Sequence, residues 1–160
     1  MRYFASFIML LVSAGLAAGM PSFQDVKSAS RRSDAVLLDR HGEVIHELRV
    51  DSHGRKLDWV KLSDISPALV KAVIRSEDKR FYEHNGVDWK ALSSAAVGNL
   101  FSKGKRGAST ITMQLASSID KNLRPKKGQR TIGQKWEQIK AAREIDKTWT
   151  KEQILEAYCN

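Results

Sequence analysis

SEDKRFYEHNGVD, running from Ser76 to Asp88, closes one helical pattern and opens another. Upstream, Ser66 and Pro67 read as a cap followed by proline at the first helical position. Val70, Val73, Ile74, Glu77, Phe81 and His84 then fall at offsets 0, 3, 4, 7, 11 and 14, one stripe of a 3.6-residue period. This periodicity places Glu77 on the inward face. Burial there disfavours the charged form of a carboxylate and makes it a better base near neutral pH. The same position equally admits an ion pair with a nearby Arg or Lys, and His84 reads more simply as a hydrogen-bonded core or helix-end histidine than as a metal ligand. Downstream, Asp88 is placed to cap a second helix carrying Trp89, Leu92, Ala96 and Leu100, which the turn SKGKRG (Ser102 to Gly107) ends.

The helical pattern continues to Asn160. Ser109 or Thr110 caps a third helix with Ile111, Leu115 and Ile119 at i, i+4 and i+8. A basic loop, KNLRPKKGQR (Lys121 to Arg130), is broken by Pro125 and Gly128. A fourth helix runs through Ile132, Trp136, Ile139 and Ala142, and Thr150 caps a fifth in KEQILEAYCN. Towards the N-terminus the period changes: AVLLDRHGEVIHELRVD reads as two short strands around Arg40, His41 and Gly42. Residues 21–34 are polar and mixed, as in a linker. Before them, Phe4 to Met20 is uncharged and almost wholly apolar, a signal anchor or a signal peptide.

Composition sets outer limits. In 160 residues, 42% hydrophobic and 28% charged, there is room for one core and no sign of a disordered chain. The net charge of +9 favours an anionic partner. A nucleic acid is opposed by the export segment and by the lack of aromatics interleaved with the basic residues. The single cysteine, Cys159, excludes an intramolecular disulfide and leaves no metal-ligand cysteine spacing.

Glu77, Asp78, Phe81, His84, Gly86 and Asp88 form E-D-x-x-F-x-x-H-x-G-x-D, which resembles the first motif of the family 51 glycosyltransferases. Further matches follow in order. GASTITMQL (Gly107 to Leu115) resembles the second motif, GQKWEQ (Gly133 to Gln138) falls where the third belongs, and KEQILEAYCN resembles the fourth, K-x-x-I-L-E-x-Y-x-N. Met113 and the altered third motif look most like the penicillin-binding protein 1C branch. In this chain the second glutamate of the family's pattern falls on Gln138, with Glu137 about 100° round the helix. Ser117 stands where a basic residue commonly follows the second motif.

The resemblance implies a mainly α, lysozyme-like glycosyltransferase domain over residues 35–160. A short N-terminal β-hairpin belongs to it, a linker (21–34) precedes it, and a membrane or signal helix (1–20) comes first. It implies a peptidoglycan glycosyltransferase that polymerises lipid II, with Glu77 as general base and the undecaprenyl diphosphate leaving. Asp78, Phe81, His84, Ser109, Thr110, Gln114, Arg130, Lys135 and Gln138 would bind substrate. No organic cofactor is implied, and Asp78 is the place for a divalent cation. The partners expected are lipid II, the growing glycan strand, the membrane and cell-wall synthesis proteins, on the periplasmic side of a bacterial inner membrane. Relatives continue past the fourth motif, so the sequence also reads as a C-terminally truncated homologue that binds lipid II or a cell-wall complex without catalysis. Glu156 and Tyr158 are expected as scaffold beneath the site.

Overall fold

A computed structural model describes residues 19–50, 56–101, 108–125 and 131–160. The apolar segment from Phe4, apart from Gly19 and Met20, lies outside the described residues, as do the SKGKRG turn and the stretch containing Arg130. The chain is mainly helical with one small hairpin, as the sequence indicates. In order come α1 (Phe23–Ala29), β1 (Asp34–Leu38), β2 (Val44–Arg49), α2 (Pro67–Glu77), α3 (Trp89–Phe101), α4 (Ile111–Ile119), α5 (Ile132–Thr148) and α6 (Lys151–Cys159).

The centre of the domain is α4. Ile111, Thr112, Met113, Leu115, Ala116 and Ser117 are all buried, and a helix buried round most of its circumference needs neighbours on most sides. Thr110 caps it, its hydroxyl accepting from the Met113 N–H at 3.1 Å. Helices α5 and α6 pack against it, each opened by a reciprocal capping box, Thr131 with Gln134 and Thr150 with Gln153. The main core joins Phe81, Ile111, Leu115, Ile145, Ile154 and Leu155, and a smaller one joins Val87, Met113, Ile139 and Ala142. Burying the Phe81 ring completely contributes on the order of 2 kcal/mol.

Three readings change. Residues 21–34, expected as linker, contain α1, whose Phe23 is buried edge-on against Trp59 and Trp149. Of the stripe expected on α5, Ile139 and Ala142 face the core but Ile132 and Trp136 do not. Ile132 is 92% exposed, and the core-facing residues are Gln138, Ile139, Ala141, Ala142 and Ile145. Finally, α2 ends at Glu77, so Phe81 and His84 do not prolong its stripe. Phe81 instead lies in a 3₁₀ turn at residues 81–83.

The hairpin pairs β1 and β2 antiparallel, with Ala35 opposite Leu48 and Leu37 opposite His46. Gly42 takes φ +85° in its turn, a left-handed conformation that glycine adopts without strain.

Candidate active site

The helix break at Asp78 builds the site. Its backbone leaves the helix at φ −155°, ψ 76°, and its carboxylate turns inward. There it accepts the Ile111 N–H at the start of α4 (3.1 Å) and faces His84 Nε2 at 2.9 Å. A buried carboxylate at a helix N-terminus satisfies donors that would otherwise lack partners. Asp78 and His84 thereby tie the first motif to the second from below.

The loop over residues 81–88 is clamped from three sides. Gly86 has φ +77°, and a Cβ there would come within 2.5 Å of the Ala142 carbonyl oxygen on α5. The Gly86 carbonyl accepts the Thr110 hydroxyl at 2.6 Å. Lys151, the first residue of α6, donates to the His84 carbonyl (2.7 Å) and to Asp146 (2.6 Å), and lies over the Phe81 ring at 4.7 Å. Arg80 closes the loop's base with two bonds to Asp88, at 2.8 and 2.9 Å, while Asp88 also caps α3 through the Ala91 N–H. Burial pushes the Asp88 carboxyl up, but the Ala91 N–H and the Arg80 guanidinium outweigh it and hold it below the ordinary carboxylate range.

Above this base lies a cleft of about 540 Å³, lined by Glu77, Asp78, Lys79, Arg80, Lys90 and Ser109 among others. Glu77 is exposed at the last residue of α2, not buried as the periodicity indicates, because the helix stops at that point. Its Oε2 accepts the Gln114 side-chain N–H at 2.9 Å. Lys135 reaches Ser109 Oγ at 3.0 Å and Gln138 Oε1 at 3.2 Å, which brings the third motif to the cleft's edge.

The expected site residues thus separate. Glu77 and Ser109 line the cleft, with Gln114 bonded to the first and Lys135 to the second. Phe81 is wholly buried and is core. Thr110 borders the cleft, but its hydroxyl is engaged as the α4 cap and by Gly86. His84 is a hydrogen-bonded core histidine, in keeping with the simpler reading of it. Gln138 is fully buried, its amide donating to the Met113 carbonyl (2.6 Å) and Ser117 Oγ (2.8 Å), so it joins α5 to α4 beneath the cleft and does not face it. Glu137 is exposed and pairs with Lys140. Sequence reasoning missed Lys79, Arg80 and Lys90, whose only signal was positive charge at the unspecified positions in and just after the first motif. It also missed Asn160, which bonds the Val60 backbone on both sides, at 2.7 and 2.9 Å.

For a divalent cation, Asp78, His84 and Asp88 offer ligand atoms within 4.8 Å of one another. The donor set does not fit one as it stands. Both Asp78 oxygens are engaged by His84 and Ile111, and both Asp88 oxygens by Arg80.

The sequence signature of the family described as transglycosylase matches residues 41–160. The chain is 44% identical over 103 residues to a biosynthetic peptidoglycan transglycosylase of Bdellovibrio bacteriovorus, covering 64% of this chain and 39% of that protein. It is 32% identical to penicillin-binding protein 2D of Bacillus subtilis, covering 97% of this chain and 23% of that one. It is 33% identical to penicillin-binding protein 1A of Neisseria gonorrhoeae, covering 88% and 17%. The chain therefore spans well under half the length of these relatives. Their names give the resemblance to the 1C branch no support.

Proposed function

Since the chain belongs to the transglycosylase family of family 51 glycosyltransferases, we propose that it polymerises lipid II into glycan strands with Glu77 as the general base. The observation that carries this is the exposed Glu77 carboxylate, fixed through one oxygen by Gln114 and facing a cleft whose other wall holds Arg80, Lys90 and Ser109. Glu77 Oε1 takes the proton of the attacking sugar hydroxyl as that oxygen bonds to the anomeric carbon of the donor. The bond from that carbon to the undecaprenyl diphosphate breaks, and the leaving oxygen carries away the electron pair. Lys79, Lys90 and Lys135 supply the positive charge that the departing diphosphate requires. No step runs through a cation. The apolar stretch Phe4 to Met20 would hold the domain at the outer face of a bacterial plasma membrane. Among the described residues no helix is long and apolar enough to cross one.

The test is strand synthesis from lipid II by the purified chain. Glu77→Gln should fall at least ~100-fold, the usual scale for loss of a general base, with its thermal unfolding unchanged. A variant as active as the parent would sink the proposal. A second, non-catalytic reading is favoured by Gln138, a neutral and buried amide where the resemblance expects a glutamate. It requires that a lipid II analogue bind the parent chain while no polymer forms.

A further inference from the structure

We infer that Tyr158, on α6, is a positioning residue for Glu77 and acts through Gln114; this rests on Glu77 being the base. The Tyr158 hydroxyl donates to Gln114 Oε1 at 3.1 Å, and Gln114 Nε2 donates to Glu77 Oε2 at 2.9 Å. Three elements, α6, α4 and α2, are thus joined in one line of donors.

The direction of that line matters. A glutamine amide has two ends of nearly equal shape, and only its surroundings decide which end points where. Turned over, Gln114 would present its oxygen to a carboxylate, acceptor against acceptor. A phenol has a single proton to give, and burial, together with the neighbouring Glu77 and Cys159, pushes the Tyr158 hydroxyl above its ordinary value, so the proton stays in place. By donating to Oε1, Tyr158 fixes the amide with its N–H groups towards Glu77. The bond to Oε2 then holds an exposed side chain at a helix end in one orientation and leaves Oε1 for the incoming proton. An unpinned glutamate would retain much of its rotamer freedom, worth on the order of the entropy lost when such a chain is fixed.

The test uses the full chain with Tyr158→Phe, which removes the hydroxyl and keeps the ring that packs against the main core. In lipid II polymerisation this variant should show kcat lowered about five-fold with KM unchanged, the scale of one neutral hydrogen bond. Gln114→Ala should lose at least as much, and adding Tyr158→Phe to it should cost nothing more. Independent, multiplying losses would overturn the inference. A second measurement needs no turnover: the Gln114 side-chain amide resonances are followed by NMR from acid to neutral pH. In the parent they should move with a carboxylate titration that Glu77→Gln abolishes, and in Tyr158→Phe the movement should shrink by at least half. No such movement in the parent, or the same movement in Tyr158→Phe, would also overturn it. If Glu77→Gln still polymerises while the amide behaves as stated, the assignment of the base fails and the positioning geometry stands.

Discussion

The hairpin and the helical motifs use their side chains in opposite ways. Every residue of β2 from Val44 to Arg49 is exposed, and Leu37, Val44, Ile45 and Leu48 each show more than half of their surface to solvent. Around α4, polar side chains are buried and span between elements: Asp78 to Ile111, Thr110 to Gly86, Gln138 to Met113. A strand of this kind depends on its own ladder and on β-favouring residues. A motif residue depends on two or three other elements being in place. Substitutions should therefore be costly in one region and nearly silent in the other.

The sharpest way to break this contrast is Gly86→Ala. Alanine at φ +77° is strained, and its Cβ would meet the Ala142 carbonyl at 2.5 Å, backbone that cannot move aside without shifting α5. We expect a loss of about 3 kcal/mol or more in urea unfolding. A loss below about 1 kcal/mol would mean that the loop over 81–88 is not held against α5 in solution.

The same contrast explains what the sequence disclosed. The hairpin with its turn at Gly42, the caps at Asp88 and Thr150, a cap at Ser109 or Thr110, and the helices after Ser66 were legible because each is written in local chemistry. The interior position of Glu77 was misread because periodicity assumed a helix running on to His84. The helix instead ends where Asp78 turns its carboxylate to Ile111, 33 residues away, a contact that no local pattern discloses. Gln138 was misplaced for a related reason. A motif position tells which residue is selected, and nothing local tells whether its side chain turns to the cleft or to Ser117. α1 went unseen because it is only seven residues long, and the partners of its anchor Phe23, Trp59 and Trp149, lie far along the chain.

A smaller effect should follow at Glu156, expected as scaffold and found to be a junction. Its carboxylate accepts Lys27 Nζ at 2.8 Å, Trp59 Nε1 at 2.7 Å and the Leu62 N–H at 2.9 Å, drawing α1 and the segment before α2 onto α6. Burial pushes this carboxyl up, but Lys27, Leu62 and Trp59 together hold it below its ordinary value. A lowered folded-state value means that its contribution is present above the unfolded value near ~4 and is lost as pH falls through the folded one. Glu156→Ala leaves part-buried donors unmet and should cost roughly 2–3 kcal/mol at neutral pH. Hydrogen exchange should rise at residues 21–33 and 56–65. Acid unfolding should also become less steep, since one carboxylate that favours the folded state is gone. Unchanged exchange in those segments would show that Phe23 packing and the bonds from Asn160 to Val60 hold them without Glu156.

The smallest effect belongs to the hairpin. Leu48 is 56% exposed, opposite Ala35, and Leu48→Thr keeps a β-favouring side chain while removing apolar surface. With little packing to lose, the change in unfolding free energy should stay within about 0.5 kcal/mol. A loss above about 1.5 kcal/mol would contradict the exposure itself, because a side chain free in solvent has no such contribution to give. The face bearing Leu37 and Leu48 would then have to be covered in solution, and the contrast between the two regions would be one of which partner is present, not of how the chain folds.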